Sequence, residues 1–300
     1  MPEISRIGVA VPDLLLPKPD TDLKKWAVIA CDQFTSQPEY WERVAEFVGN
    51  APSTFHMILP EVWLESEDVQ DRIDSIQKYM RQYLDQHIFE THPGFMLVER
   101  SVGDHTQTGL VVALDLETYD YNKGSTTLIR ATEGTILDRL PPRMKVRRGA
   151  PIELPHILVL YDDPNWTVLK ETLNQKESLQ VKYDLDLMEG SGHITGRLVN
   201  QPELIASVMD ALTDLIEPSA YAQKYSLPEG SNPLLFAMGD GNHSLATAKA
   251  IWEEIKPTVG MNHPSRYALV ELVNLHDPSL QFEAIHRALF NVPSELLTGL

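Results

Sequence analysis

A strand, a glycine-rich turn and a helix follow one another between residues 234 and 255, and this segment limits what the chain can fold into more than any other. The apolar run at residues 234–238 predicts a short strand. Helix-forming residues continue through residues 242–255, with apolar side chains every three or four positions. Residues 239–241, Gly-Asp-Gly, are typical of a turn, so the sequence predicts a helix N-terminus directly at the end of a strand.

This turn has the features of an anion-binding site. A helix N-terminus directs N–H groups and partial positive charge outward. Gly239 and Gly241 allow a phosphate or carboxylate to approach the backbone closely. Asn242 and Ser244 add polar side chains at the start of the same helix. We therefore predict that the segment from Gly239 to Ser244 binds a phosphate group of the substrate.

Asp240 and His243 make the same turn a candidate catalytic site. They are three residues apart, which makes them neighbours on a helix. The aspartate could orient the imidazole or accept a proton, the histidine could transfer a proton near neutral pH, or the pair could bind a divalent ion. The alternative is that Asp240 or Asn242 caps the helix and His243 packs locally.

Further polar residues lie at predicted strand ends and turns. Asp32 follows an apolar run at residues 26–30 that is rich in strand-forming residues, and ligands commonly bind at strand ends in α/β proteins. Its neighbour Cys31 is expected to be a buried structural thiol, because no nearby cation or histidine lowers its pKa. Glu133 offers an acid–base or metal-binding carboxylate. His193, in a glycine-flanked segment, either presents its imidazole to a ligand or belongs to a simple hairpin.

Five cations in residues 139–148 depart from the acidic character of the chain and predict a local anion site, with a solvated, charge-neutralising loop as the alternative. Arg139 is the predicted phosphate ligand. Four arginines are candidates to face the site: Arg139, Arg143, Arg147 and Arg148. The site itself is predicted as a cleft in which four side chains converge: Asp32, Glu133, Asp240 and His243.

Helical periodicity marks residues 38–48, 69–88 and 202–215, and Ser36 and Glu39 have capping-box spacing. Residues 94–102 and 110–121 predict an antiparallel hairpin. Further strands are predicted at residues 157–161 and 266–275, and a further helix at residues 282–290. The fold class is therefore α+β or mixed α/β, with mixed sheets and flanking helices. We expect one compact unit, or two subdomains divided near residues 125–150, in a natural protein that continues beyond Leu300.

The charge and cysteine content limit the partners and the compartment. The formal net charge of -18 opposes binding to nucleic acid or to anionic membranes, which leaves small molecules or other proteins as the expected partners. A single cysteine excludes an intrachain disulfide, and no apolar stretch is long enough to span a bilayer. A cytoplasmic location is therefore expected. P-loop, dinucleotide-binding and Cys-rich zinc motifs are not found in the sequence.

The chain resembles the bacterial and archaeal family catalogued as domain of unknown function 1015. The resemblance rests on five segments in order: residues 28–34, 129–135 with Arg139, 158–164, 239–244, and 274–278 followed by His286 and Arg287. Members usually carry Asp-Gly-His-His-Arg where this chain has Asp-Gly-Asn-His-Ser at residues 240–244, so it resembles a divergent subgroup. The same loop is similar to that of ParB and sulfiredoxin-like free serine kinases, which implies a nucleotide phosphate at the helix N-terminus with Asp240 near the transferred group.

These observations favour an enzyme that binds a nucleotide or a phosphorylated metabolite and catalyses phosphoryl transfer or hydrolysis. A nucleotide and Mg²⁺ are the candidate cofactors. Two alternatives stay open: a non-catalytic metabolite or nucleotide sensor that uses the same helix N-terminus, and a metal-dependent hydrolase that uses Asp and His ligands without a nucleotide.

Overall fold

A large mixed sheet forms the centre of the molecule. The computed structural model describes residues 7–135, 140–154 and 157–280. Within these residues the strands are β1 Val9–Ala10, β2 Asp13–Pro17, β3 Phe89–Pro93, β4 Phe95–Val102, β5 His105–Asp115, β6 Tyr119–Asp120, β7 Ile129–Arg130, β8 Leu158–Tyr161, β9 Gln180–Asp186, β10 His193–Val199, β11 Phe236–Asp240 and β12 Tyr267–Asn274. The sheet has the order β6-β7-β11-β8-β12-β5-β4-β10-β9, β1 pairs with β5, and β2 and β3 form a separate hairpin-like sheet.

Strand β12 joins the two halves of this sheet. It pairs in parallel with β8 on one side and antiparallel with β5 on the other. On the β8 side, β6, β7 and β11 run parallel to one another, and β11 is antiparallel to β8. On the β5 side, β4, β10 and β9 follow as antiparallel neighbours. The sheet takes strands from both sides of residues 125–150.

Helices flank the sheet, which confirms the predicted α+β or mixed α/β class. They are α1 Leu23–Trp26, α2 Pro38–Val48, α3 Val69–Asp85, α4 Leu140–Arg147, α5 Lys170–Asn174, α6 Pro202–Asp214, α7 Pro218–Tyr225 and α8 Asn242–Val259. The main core lies between the sheet and its covering helices, where α6 contributes Leu204 and Val208, and α8 contributes Leu245 and Trp252. A second core forms around α3 and α1 and includes Trp26.

The strongly periodic segments form the elements that the sequence predicts. Helix α2 has the predicted bounds, and α3 buries Ile73, Ile76, Met80 and Tyr83 on one face. Strands β4 and β5 form the predicted antiparallel hairpin. Strand β12 and helix α6 also lie where an apolar run and an amphipathic repeat predict them. The predicted helix at residues 282–290 lies outside the described residues.

The strand predicted at residues 26–30 is wrong. Trp26 ends helix α1, and residues 27–30 form neither helix nor strand. The Trp26 ring packs against Tyr83 and Phe89, and its carbonyl accepts hydrogen bonds from the hydroxyls of Ser53 and Thr54. Side-chain contacts and side-chain hydrogen bonds thus replace a sheet ladder here. The predicted Ser36–Glu39 capping box is also absent, because α2 begins after Gln37 without a side-chain cap.

Candidate functional site

Two parallel strands bring the Glu133 segment to the Gly-Asp-Gly-Asn-His turn. Strands β7 and β11 pair in parallel, so residues 131–133 and residues 239–243 leave the sheet at the same edge. The Thr132 hydroxyl donates a 2.8 Å hydrogen bond to the Met238 carbonyl, and its backbone N–H lies 3.4 Å from Asn242 Oδ1. Glu133, the next residue, is exposed beside the turn.

The turn itself begins helix α8 without a side-chain cap. Gly241 occupies the N-cap position with φ 83°, a left-handed conformation that favours glycine. The alternative of a simple cap by Asp240 or Asn242 is therefore not what the structure shows. The Asp240 Oδ1 atom instead accepts a 2.7 Å hydrogen bond from the Gly241 N–H, which holds an exposed carboxylate at the end of β11.

Helix α8 places its first residues at different depths. Asn242 is buried, whereas His243 and Ser244 are partly buried. The His243 carbonyl accepts a 2.7 Å hydrogen bond from the Thr247 hydroxyl one turn later. Ser244 and Thr247 therefore lie one above the other on the helix, on a face that borders a cavity.

This cavity has a volume of about 130 Å³ and lies between α8, α4, α3 and the segments around Cys31, Met57 and Glu61. Its polar lining comes from Cys31, Glu61, Arg143, Arg147, Glu153, Ser244 and Thr247. Its apolar lining comes from Met57, Ile58, Leu59, Leu64, Met80, Val146, Ala150, Ile152 and Leu154. We call this space the α8 cavity.

Two ion pairs form part of the wall of the α8 cavity. Arg143 pairs with Glu61, and Arg147 pairs with Glu153. Both arginines project from α4, where a spacing of four residues puts them on one face of the helix. The Glu61 N–H donates a 2.7 Å hydrogen bond to the Cys31 carbonyl, which fixes the segment that carries Cys31 and Asp32 against this wall.

Cys31 is partly buried and its thiol is protonated at neutral pH. Burial raises its pKa to about 12, and the carboxylates of Asp32 and Glu61 contribute to the increase. The thiolate is the reactive form of cysteine, so this environment opposes nucleophilic chemistry at Cys31. The raised pKa of Cys31 agrees with the structural thiol that the sequence predicts.

We predict slow reaction of Cys31 with Ellman's reagent at pH 7.5. A rise of the pKa from 9.0 to about 12 lowers the thiolate fraction about a thousandfold. A more basic thiolate is also more nucleophilic, which raises its reaction rate roughly 20-fold. The net rate is then roughly 50-fold below that of an ordinary thiol. The urea-unfolded chain supplies the reference rate, because Cys31 is the single cysteine in the sequence. Equal reaction rates for the folded and unfolded chains would show that the folded environment does not raise the pKa of Cys31.

The structure brings some of the predicted site residues together and leaves one apart. The neighbours of Asp32 and His243, namely Cys31 and Ser244, line the same cavity, and two of the four candidate arginines, Arg143 and Arg147, line it as well. Arg139, the predicted phosphate ligand, lies outside the described residues. Arg148 is exposed and pairs with Glu254 instead.

His193 does not join this site. It lies on β10, and four strands separate β10 from β11 in the sheet. Its ring nitrogens lie 2.8 Å from Asp186 Oδ1 and 2.7 Å from Asp184 Oδ1, and these carboxylates raise its pKa. His193 therefore belongs to the hairpin of β9 and β10, which is the alternative that the sequence analysis gave for it. Two flanking carboxylates do not suit the binding of a phosphate.

Another polar cluster lies at the opposite edge of the sheet, where the parallel strands β8 and β12 end. Asp162 accepts hydrogen bonds from the Tyr225 hydroxyl at 2.5 Å and from Lys224 Nζ, and His276 Nε2 lies 2.7 Å from its Oδ1. Burial alone would raise the pKa of Asp162, but these three partners lower it to about 2. The buried Asn274 side chain bonds to the backbone of Asp163 and ties the two strand ends together.

Sequence reasoning missed three groups of the α8 cavity: Glu61, Glu153 and Thr247. The two glutamates are recognisable only once their arginine partners on α4 are in place. Thr247 has a sequence signal, because it follows Ser244 by three residues on a helix. Among the described residues, no three His, Cys, Asp or Glu side chains are grouped in a way that could hold a metal ion. No helix in the described ranges is long and apolar enough to cross a membrane.

Comparison with known proteins gives one family. A family model with the description "Protein of unknown function (DUF1015)" matches residues 14–300. No curated protein and no solved structure matches the chain.

Proposed function

Because the chain belongs to the DUF1015 family, whose description names no activity, we propose its function from the site: it binds a phosphorylated small molecule such as a nucleotide. The phosphate lies at the turn from Gly239 to Ser244, and the remainder of the ligand enters the α8 cavity. Phosphoryl transfer or hydrolysis is the proposed reaction.

One observation supports this proposal above the others: Ser244 of the first turn of α8 and Arg143 of α4 line the same cavity. A helix N-terminus attracts an anion through its dipole and its N–H groups, and arginine binds phosphate oxygens with matching geometry. Gly241, in its left-handed conformation, has no side chain that would obstruct an approaching anion. The helix N-terminus thus supplies partial positive charge in a chain with a net charge of -18, whereas the charge of Arg143 is balanced by Glu61.

The carboxylates at the mouth of the site are the proposed acid–base groups. Asp240 is the last residue of β11 and Glu133 lies shortly after the parallel strand β7, and both are exposed at the same edge of the sheet. Mg²⁺ in phosphate-binding sites is commonly held by one or two carboxylates together with phosphate oxygens. Asp240 and Glu133 are the residues that would hold it, and His243 is the candidate proton-transfer group. Asp32 is proposed to act from the Cys31 side of the cavity.

Binding is tested by thermal denaturation with ATP, AMP and a sugar phosphate, each with and without Mg²⁺. A ligand that binds only the native state adds RT ln(1 + [L]/Kd) to stability, which is about 2.7 kcal/mol at a hundredfold excess over Kd. We expect at least one phosphorylated compound to raise the melting temperature, and its unphosphorylated counterpart to have no effect. If no phosphorylated compound stabilises the chain, the proposed function is wrong.

Arg143→Ala is expected to weaken the binding of the stabilising compound about tenfold to a hundredfold, because a charge-assisted contact is lost and Glu61 is left without its cation. Arg148→Ala is the matched control. Arg148 directly follows the last residue of α4, and its exposed side chain pairs with Glu254 at 2.8 Å. Isothermal titration of both variants should separate them. Equal affinities would remove Arg143 from the phosphate site.

A further inference from the structure

The wall of the α8 cavity is mainly apolar and belongs to the second core of the protein. Met57, Leu59 and Met80 line the cavity and are buried members of the core around α3 and α1. Ala150 and Ile152 pack against the same core from the segment after α4. A group that enters the cavity therefore exchanges contact with water for contact with core side chains, which favours an apolar group.

The charged side chains of the wall already have partners. Arg143 is paired with Glu61, and Arg147 is paired with Glu153. The Thr247 hydroxyl donates to a backbone carbonyl one turn earlier on α8. The wall therefore offers no spare negative charge to a buried amine and few partners to the hydroxyl groups of a sugar. Burial of an unpaired charge or of an unsatisfied polar group is unfavourable, so both kinds of ligand are disfavoured.

The volume of the α8 cavity limits the size of the group that enters it. This volume is about 130 Å³. An engineered apolar cavity of roughly 150 Å³ in another protein binds benzene. The α8 cavity therefore has room for a single six-membered ring, or for a branched hydrocarbon group of similar size.

We propose that the ligand of the α8 cavity is a phosphate ester of a small apolar alcohol, whose hydrocarbon group fills the cavity. This inference rests on the proposed function, which places the phosphate of the same ligand at the N-terminus of α8. It narrows the phosphorylated ligand to a class with an uncharged hydrocarbon end group. Phosphorylated sugars, phosphorylated amines and nucleotides, whose bases have polar edges, are expected to bind less tightly.

The first test compares cyclohexylmethyl phosphate with glucose 6-phosphate, which both carry a six-membered ring. We expect isothermal titration to give a dissociation constant about tenfold to a hundredfold lower for the hydrocarbon ester, because the sugar hydroxyls lose water without gaining partners. AMP should also bind less tightly than the hydrocarbon ester. Equal affinities of the two esters, or tighter binding of AMP, would overturn the inference and leave the proposed function intact. If no phosphorylated compound binds, both proposals fail.

The second test isolates the effect of charge. Phosphocholine and 3,3-dimethylbutyl phosphate have nearly the same shape, but a carbon atom of the second replaces the cationic nitrogen of the first. We expect the ester with the uncharged end to bind at least about tenfold more tightly, since the wall of the cavity has no spare counter-charge. Equal or tighter binding of phosphocholine would overturn the inference.

Ala150→Leu tests the cavity itself, because the larger side chain fills part of the space that the ligand needs. We expect the affinity for cyclohexylmethyl phosphate to fall at least about tenfold, whereas the affinity for inorganic phosphate, which the proposed function places at the turn, stays unchanged. Ala220→Leu is the matched control, because Ala220 is exposed on α7 and does not line the cavity. An unchanged affinity of the folded Ala150 variant for cyclohexylmethyl phosphate would overturn the inference. Thermal denaturation without ligand shows whether the variants fold, and the two comparisons on the wild-type chain decide the matter if the Ala150 variant does not.

Discussion

Asp240→Asn is expected to reduce turnover of the phosphorylated substrate by about 100-fold to 10,000-fold, the range typical of a lost acid–base group. The fold should be preserved, because the Asn carbonyl can still accept the hydrogen bond that the Gly241 N–H donates to Asp240 Oδ1. Binding of ATP without Mg²⁺ should persist or improve, since the variant removes a negative charge beside the phosphate. Release or transfer of the terminal phosphate of ATP with Mg²⁺ provides the measurement, with titration of ATP alongside.

The control is Asp22→Asn. Asp22 is also an exposed aspartate that accepts a backbone hydrogen bond, from the Lys24 N–H at 3.0 Å, and it caps α1, none of whose residues lines the α8 cavity. Its turnover should equal that of the wild type. Equal turnover by the Asp240 variant and the wild type would remove Asp240 from the chemistry. Binding by a wild-type chain that shows no turnover would instead favour the sensor, which needs the same turn but no acid–base group.

Asp115→Ala is expected to lower the free energy of unfolding by about 3–5 kcal/mol, because it leaves the Arg266 guanidinium buried without its counter-charge. Asp115 is 2% exposed and Arg266 is 6% exposed. Two guanidinium nitrogens donate to the two Asp115 oxygens, at 2.8 Å and 2.5 Å. The same carboxylate also accepts the Glu117 N–H at 3.0 Å. Urea unfolding measures this decrease in the free energy of unfolding, and thermal unfolding should show a melting temperature lower by roughly 5–15 °C.

Two comparisons make this prediction specific. Glu254→Ala breaks the exposed pair with Arg148 and should cost no more than about 1 kcal/mol. The double variant Asp115→Ala/Arg266→Ala should be less destabilised than the sum of the two single variants, because it removes the stranded charge as well as its partner. A loss in Asp115→Ala as small as that in Glu254→Ala would show that the buried pair contributes little.

Local periodicity predicted two of the elements that carry the candidate site, but not helix α4, whose segment was expected to be an anion site or a solvated loop. Strand β11 and helix α8 follow from a short apolar run and a helical repeat, and Gly241 marks the point where the chain turns. The pairing of β7 with β11 could not be read from the sequence. Strand β7 has only two residues, Ile129–Arg130, which is too short for a strand pattern.

Contacts between residues far apart in the sequence explain why the strand at residues 26–30 was wrongly predicted and why Glu61 was missed. The apolar residues after Trp26 have the composition of a strand, but contacts with Tyr83, Phe89 and the Ser53 segment hold them outside the sheet. Glu61 lies 82 residues before its partner Arg143, so no local pattern could assign it to the cavity. The anion site inferred from the arginine-rich segment stays a prediction, and the sequence could not choose among its four arginines.

The position of β12 between β5 and β8 has a consequence for the order of folding during synthesis. Among the described strands it is the last to be translated, yet it occupies the middle of the sheet. The chain grows at roughly 5–20 residues per second, and until residues 267–274 emerge, the β5 half and the β8 half each end in an unpaired strand edge. Such edges can pair with other chains. The nascent protein therefore spends its most aggregation-prone interval just before β12 is released, and a chaperone that shields these two edges would act at this stage.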